Sequence, residues 1–168
     1  MAGRAPESRR GLGRPPAGRF AVVAARFNEP ISKKLADGAA SALEAGGVPP
    51  ERVEVHWVPG SFELPQAAMA LARTGRYAGI VGVGVVIRGE TPHFAYVAGE
   101  AARGLSRVGL ETGVPVSFGV ITSLTEAQAW ERAGGAVGHR GEEAARAALE
   151  MAAWMRRLPG RRAAKRRR

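Results

Sequence analysis

The sequence has no cysteine among its 168 residues. That excludes a disulfide framework, a thiolate metal site and a thiol nucleophile. No apolar run approaches the ~20 residues of a membrane-crossing helix, so no membrane span is expected. The first residues, MAGRAPESRRGLGRPPAGR, lack the apolar stretch of a secretory signal, and the cytoplasm is the expected compartment. The three histidines, His56, His93 and His139, lack metal-ligand spacing, so no metal is expected. GVGVV, residues 82–86, has Gly-x-Gly without the third glycine or the strand–turn–helix context of a dinucleotide fingerprint. What is present suits one folded domain, with an apolar share of 45% and a length that supports a proper core.

The net charge of +10 is unevenly placed. Residues 1–19 carry five arginines against one glutamate, and residues 156–168 carry eight cations and no acid. The stretch between them holds twelve cations and fourteen anions, so it is slightly acidic. Both ends are rich in Arg, Gly, Pro and Ala and cannot bury enough surface to offset the entropy of ordering. Disordered basic tails at 1–18 and 158–168 are therefore expected around a folded domain at 19–157. Such tails attract nucleic acid without sequence preference, although short charge blocks more often stay solvated. A dedicated nucleic-acid-binding domain carries its basic patch on the fold, which the acidic centre argues against.

The centre alternates apolar runs with segments of helical period. FAVVAA (20–25), VEVHWV (53–58), GIVGVGVVI (79–87) and PVSFGVIT (115–122) read as strands, the third apolar on both faces like a central parallel strand. Between them, Ile31, Leu35, Ala39 and Leu43 share one helical face, as do Leu64, Ala68 and Leu71. Phe94, Val97, Ala101, Leu105 and Val108 form a third stripe over 93–109. Ser123 and Glu126 have capping-box spacing before a short helix, and a last helix spans 142–156. This order predicts an α/β fold with a four-stranded parallel sheet flanked by helices, and ligands at the strands' C-terminal edge.

Four segments leave the strands at that edge: ARFNEP (25–30), VPGSFELP (58–65), VVIRGETPHF (85–94) and FGVITS (118–123). Asn28, Ser61 and Thr91 also fit as helix caps, and Gly60 and Gly89 as turn glycines. A turn, however, does not require Phe27, Glu63, Arg88 and His93. The free N–H groups of a helix starting near His93, with the Thr91 hydroxyl, would make an anion site. His93 in its first turn could both donate and accept protons near neutral pH.

ARFNEPIS, VPGSFELP, GVVIRGETPHFAYV, VSFGVIT and ERAGG…GHRGEEAA closely resemble the signature segments of the 6,7-dimethyl-8-ribityllumazine synthase family. The resemblance runs in order from Arg19 to Met155. It implies a flavodoxin-like three-layer sandwich and a transferase acting at the penultimate step of riboflavin biosynthesis. The implied reaction condenses 5-amino-6-(D-ribitylamino)uracil with 3,4-dihydroxy-2-butanone 4-phosphate, releasing phosphate and water and needing no cofactor.

Position by position, the resemblance gives Phe27 the role of stacking on the pyrimidine. Ser61, Phe62 and Glu63 would hold the ribityl chain, and Val85, Val86 and Ile87 would line the pyrimidine. Glu90 and Thr91 belong to the phosphate loop, and His93 moves protons. Phe118 and Arg132 are expected from a neighbouring subunit, covering the ring and clamping the phosphate. Arg140 stands where the family usually has lysine, within His139-Arg140-Gly141 in place of Asn-Lys-Gly. It keeps the charge near the phosphate but changes its shape. The resemblance implies a pentamer with sites at subunit interfaces, and AGGAVGHRG lacks the insertion of pentamer-only members, which permits an icosahedral shell. Riboflavin synthase is a candidate partner, and nucleic acid only through the tails. A flavin- or lumazine-binding or shell-forming scaffold of the same fold, without turnover and with tails that attract nucleic acid, is the alternative, against which the set Phe27, Glu63, His93 and Arg132 argues.

Overall fold

Two stretches, Arg19–Ala25 and Tyr77–Ile87, are apolar at nearly every position and buried on both faces. In the computed structural model, which describes residues 15–159, they are the central strands of a four-stranded sheet. In chain order the elements are β1 (Arg19–Ala25), α1 (Glu29–Ala45), β2 (Val53–Val58), α2 (Leu64–Arg73), β3 (Tyr77–Ile87), α3 (His93–Thr112), β4 (Val116–Ser123), α4 (Glu126–Glu131), β5 (Ala133–Gly135), β6 (Gly138–His139) and α5 (Arg140–Arg156). The sheet order is β2-β1-β3-β4, all parallel.

Alternation along the strands builds two cores. Phe20, Val22, Ala24, Val81 and Val83 pack with Leu35 and Leu43 of α1 and Leu149 of α5. On the opposite face, Ala21, Val23 and Ile80 pack with Leu64 of α2 and Leu105 of α3. The three layers are those of a flavodoxin-like α/β fold. From β1 the chain steps outward to β2, then crosses back to β3 on the other side. That reversal places the switch point between β1 and β3, at whose carboxyl ends open α/β sheets bind ligands.

Several boundaries differ from the sequence expectation for local reasons. Residues 15–18, expected in the N-terminal tail, lie against the fold. Pro16 is buried, and Arg52 Nη1 donates to the Pro16 and Gly18 carbonyls, each at 3.3 Å. Residues 1–14 and 160–168, which hold most of the two expected basic tails, lie outside the described residues. α3 runs on to Thr112 and stops where Gly113 turns left-handed (φ 68°). Ser123 and Glu126 do not form a capping box, because Ser123 ends β4 and is buried. The cap is Thr125, whose hydroxyl accepts the Gln128 N–H at 3.2 Å, while Gln128 Oε1 accepts the Leu124 N–H at 2.9 Å. α5 begins at Arg140, capped by His139 Nδ1, which accepts the Glu142 N–H at 3.3 Å. The β5–β6 hairpin is too short and glycine-rich to show an alternation in sequence. Among the described residues no helix is long and apolar enough to cross a membrane.

Candidate active site

The β1–β3 ladder ends at the pair Ala24–Val83, while β3 continues to Ile87. The chain leaving β1 is held in the gap. Arg26 N–H donates to the Val58 carbonyl at 2.8 Å and Phe27 N–H to the Pro59 carbonyl at 3.1 Å. These bonds hold the chain at Phe27, which is 72% exposed. Asn28 stands at the start of α1 but makes no side-chain cap; its Nδ2 donates instead to the Val85 carbonyl at 3.2 Å.

The chain leaving β2 makes a 3-10 turn, Ser61–Glu63, directly into α2. This turn lies against β3 at Gly84. A Cβ there would meet Ser61 Oγ at 2.6 Å and the Ala25 Cβ at 3.1 Å, so the close approach of three chain segments requires glycine. Ser61 is buried, and Phe62 stands exposed. Beyond β3, Arg88 N–H donates to the Ser123 carbonyl at 2.9 Å, after which the chain turns into α3 at Pro92. The first turn of α3 contains no acid and starts at His93, two residues after Thr91; its Ala95 N–H returns to the Pro92 carbonyl at 2.9 Å.

Together these segments enclose a cavity of about 590 Å³. Phe27, Ser61, Phe62, Glu63, Val85, Val86, Ile87, Thr91 and His93, all expected site residues, line it. Pro59, Gly60, Gly89, Phe94, Tyr96 and Val97 line it as well. Phe94 and Val97, on the apolar stripe of α3, pack against the core while also facing the cavity. Tyr96 gives a sequence signal only in hindsight, as an aromatic one helical turn from His93.

Four expected residues are not among those lining the cavity: Glu90, Phe118, Arg132 and Arg140. Glu90 is exposed between Gly89 and Thr91. The end of β4 meets the end of β3 at Ser123, whereas Phe118 lies mid-strand, opposite Gly82 and 44% exposed, and does not line this cavity. Arg132 follows α4 and donates from Nη1 to the Gln128 carbonyl at 2.9 Å. Arg140 opens α5 and pairs with Glu143. The backbones of these two arginines are joined, Arg140 N–H to the Arg132 carbonyl, at 2.9 Å.

A family model described as 6,7-dimethyl-8-ribityllumazine synthase matches residues 17–156, from the chain just before β1 to the last residue of α5. The chain belongs to this family. Lumazine synthases are transferases of riboflavin biosynthesis that act on small molecules and assemble as oligomers. The match spans every segment that lines the cavity, as well as Arg132 after α4 and Arg140 at the start of α5.

A second polar cluster lies at the opposite end of the sheet. Glu54 on β2 receives the Tyr77 hydroxyl, pairs with Arg19 at 2.7 Å, and lies 3.3 Å from His56 and 3.7 Å from Arg76. The Tyr77 hydrogen bond, assisted by His56, Arg19 and Arg76, outweighs burial and holds the Glu54 carboxyl below its ordinary value. Burial, followed by that same hydrogen bond, raises the Tyr77 phenol. This cluster ties the amino ends of β1, β2 and β3 together, far from the cavity.

Proposed function

We propose that this lumazine synthase condenses 5-amino-6-(D-ribitylamino)uracil with 3,4-dihydroxy-2-butanone 4-phosphate to give 6,7-dimethyl-8-ribityllumazine, phosphate and water. The observation that carries the reading is one cavity lined by Phe27, Glu63, Val85–Ile87, Thr91 and His93 at the β1–β3 switch point. Phe27 offers a flat apolar face to the pyrimidine. Glu63 accepts from ribityl hydroxyls. The first turn of α3 and Thr91 supply N–H and O–H donors to the phosphate, where the helix's positive end favours negative charge.

The bound pair then reacts mainly because it is held. The amine of the pyrimidine lies beside the ketone of the four-carbon phosphate, and such placement supplies up to ~7–11 kcal/mol in favourable systems. Imine formation, loss of phosphate and ring closure each move a proton. His93, in the first turn of the phosphate-binding helix, takes and returns these protons beside the leaving group. Glu90 borders this loop.

Phe118, Arg132 and Arg140 complete the pocket of an adjacent subunit, Phe118 over the ring and the arginines at the phosphate. Their position outside the cavity of their own chain supports that reading, as does the fork of donors that a guanidinium offers to phosphate. Exposed Phe118, Trp130, Trp154 and Met151 supply apolar surface for subunit contacts. We assign a pentamer, able to build an icosahedral shell, acting in the cytoplasm. The test is to mix the two substrates with the protein and follow the product's absorbance. Turnover that falls sharply in His93→Ala supports the reading; a wild-type protein that forms no product overturns it.

A further inference from the structure

Asn28 is the only non-glycine among the described residues with a positive φ, at φ 59° and ψ 45°. Asparagine tolerates this left-handed conformation better than most residues. It stands where a helix cap would, yet its side chain makes no cap bond and reaches Val85, 57 positions along the chain, at 3.2 Å.

The register explains what that bond replaces. Ile80 of β3 donates its N–H to the Pro115 carbonyl just before β4, and Arg88, just past β3, donates to the Ser123 carbonyl at the end of β4. Strand alternation therefore turns the main-chain groups of Val85 and Ile87 toward the β1 side. The β1–β3 pairing has already ended at Val83. The Asn28 carboxamide takes the Val85 carbonyl there, one rung beyond the last strand residue. The neighbouring main chain is fixed as well: the Ser32 hydroxyl donates to the Phe27 carbonyl at 3.2 Å, and the Asn28 carbonyl accepts from the N–H groups of Ile31 and Ser32, both at 3.1 Å.

We propose that Asn28 is a positioning residue for the pyrimidine. Its carboxamide prolongs the β1–β3 ladder by one bond and sets the height of the Phe27 ring above Val85–Ile87, leaving the Ile87 main-chain groups for the ligand. This rests on the reading above that Phe27 and the β3 end hold the pyrimidine. The left-handed turn frees the side chain to cross the gap, whereas an ordinary cap would fold it back onto α1.

Asn28→Ala would strain the left-handed turn as well as remove the amide, so Asn28→Gly, which keeps the turn, isolates the bond. Asn28→Asp also suits the turn but sets a carboxylate against the Val85 carbonyl. Both variants are expected to raise KM for the pyrimidine roughly tenfold, the scale of one hydrogen bond, with Asn28→Asp the worse. KM for the phosphorylated substrate should stay near wild type, and the melting temperature should fall by only a few degrees. Hydrogen exchange at the end of β3, measured without substrates, should quicken in both variants. Unchanged exchange, wild-type pyrimidine KM in Asn28→Gly, or equal loss for both substrates overturns the inference. A wild-type protein with no turnover would instead overturn the substrate assignment, and the exchange measurement would still decide whether Asn28 holds the strand end.

Discussion

The main-chain N–H of Arg140 donates to the Arg132 carbonyl at 2.9 Å, so the hairpin after α4 sets two arginines on adjoining main chains. Neither lines the cavity of its own subunit. Arg132→Ala is expected to raise KM for the phosphorylated substrate roughly ten- to a hundredfold, as for loss of a hydrogen bond to a charged group, with little change for the pyrimidine. Arg140 is closely paired with Glu143, whereas the Glu131 carboxylate lies 3.9 Å from Arg132, so exchanging the Arg140 partner for phosphate gains less. Arg140→Ala should therefore cost less than Arg132→Ala. Steady-state kinetics with each substrate varied in turn checks both; a loss confined to pyrimidine KM would contradict the assigned clamp.

Phe27 tests the other half of the pocket. Its ring is 72% exposed, so Phe27→Ala removes little core packing. Pyrimidine binding should weaken by about 1–3 kcal/mol, the cost of losing one stacked aromatic, with an unchanged melting temperature. Isothermal titration of the pyrimidine alone measures it. Unaltered affinity would place the ring elsewhere.

Gly84 tests the floor of the site. Gly84→Ala sets a methyl 2.6 Å from Ser61 Oγ and 3.1 Å from the Ala25 Cβ, and is expected to push the Ser61–Glu63 turn away from β3. Overpacking of this kind costs about 1–3 kcal/mol of stability. Pyrimidine KM should rise with it, because Ser61, Phe62 and Glu63 move together. Thermal unfolding and kinetics on the same preparation check the coupling, and a stable variant with unaltered KM would show that the turn adjusts freely.

The Glu54 cluster sets a pH dependence of stability, not of catalysis. The folded-state pKa of Glu54 lies below its ordinary value of 4.5, chiefly through the Tyr77 hydrogen bond. Its stabilisation is complete above that ordinary value and is lost as pH falls through the lower folded value. Tyr77 behaves in the opposite sense: its folded pKa is raised above 10.0, so its contribution is whole below that value and is lost at higher pH. Glu54→Gln should melt lower than wild type at neutral pH, and the gap should close on acidification. Melting curves over that range check it; parallel curves would mean that Glu54 contributes nothing through its charge.

Most of the fold was legible because β1 and β3 are apolar on both faces and the helices between them keep their period. The sheet's order was not, since nothing local in VEVHWV says that β2 pairs outside β1. The lining of the cavity was legible where polar and aromatic residues follow the end of a strand, as Phe27, Glu63 and His93 do. It was not legible where the partner is remote: Asn28 reads as a cap until Val85 is seen beside it. Phe94 and Val97 read as core because a helix residue at the rim of a sheet can serve both core and cavity. The capping-box spacing of Ser123 and Glu126 misled because the sheet claims Ser123, and Thr125 with Gln128 offers the same pattern two residues later.

The most direct test of the shared site is complementation. His93→Ala and Arg132→Ala, each of low activity alone, are denatured together at equal amounts, refolded as mixed oligomers and assayed for lumazine formation. A pocket that takes His93 from one subunit and Arg132 from its neighbour should regain roughly a quarter of its sites in a random ring with head-to-tail interfaces. Mixtures no more active than the average of the two parents would contradict the account.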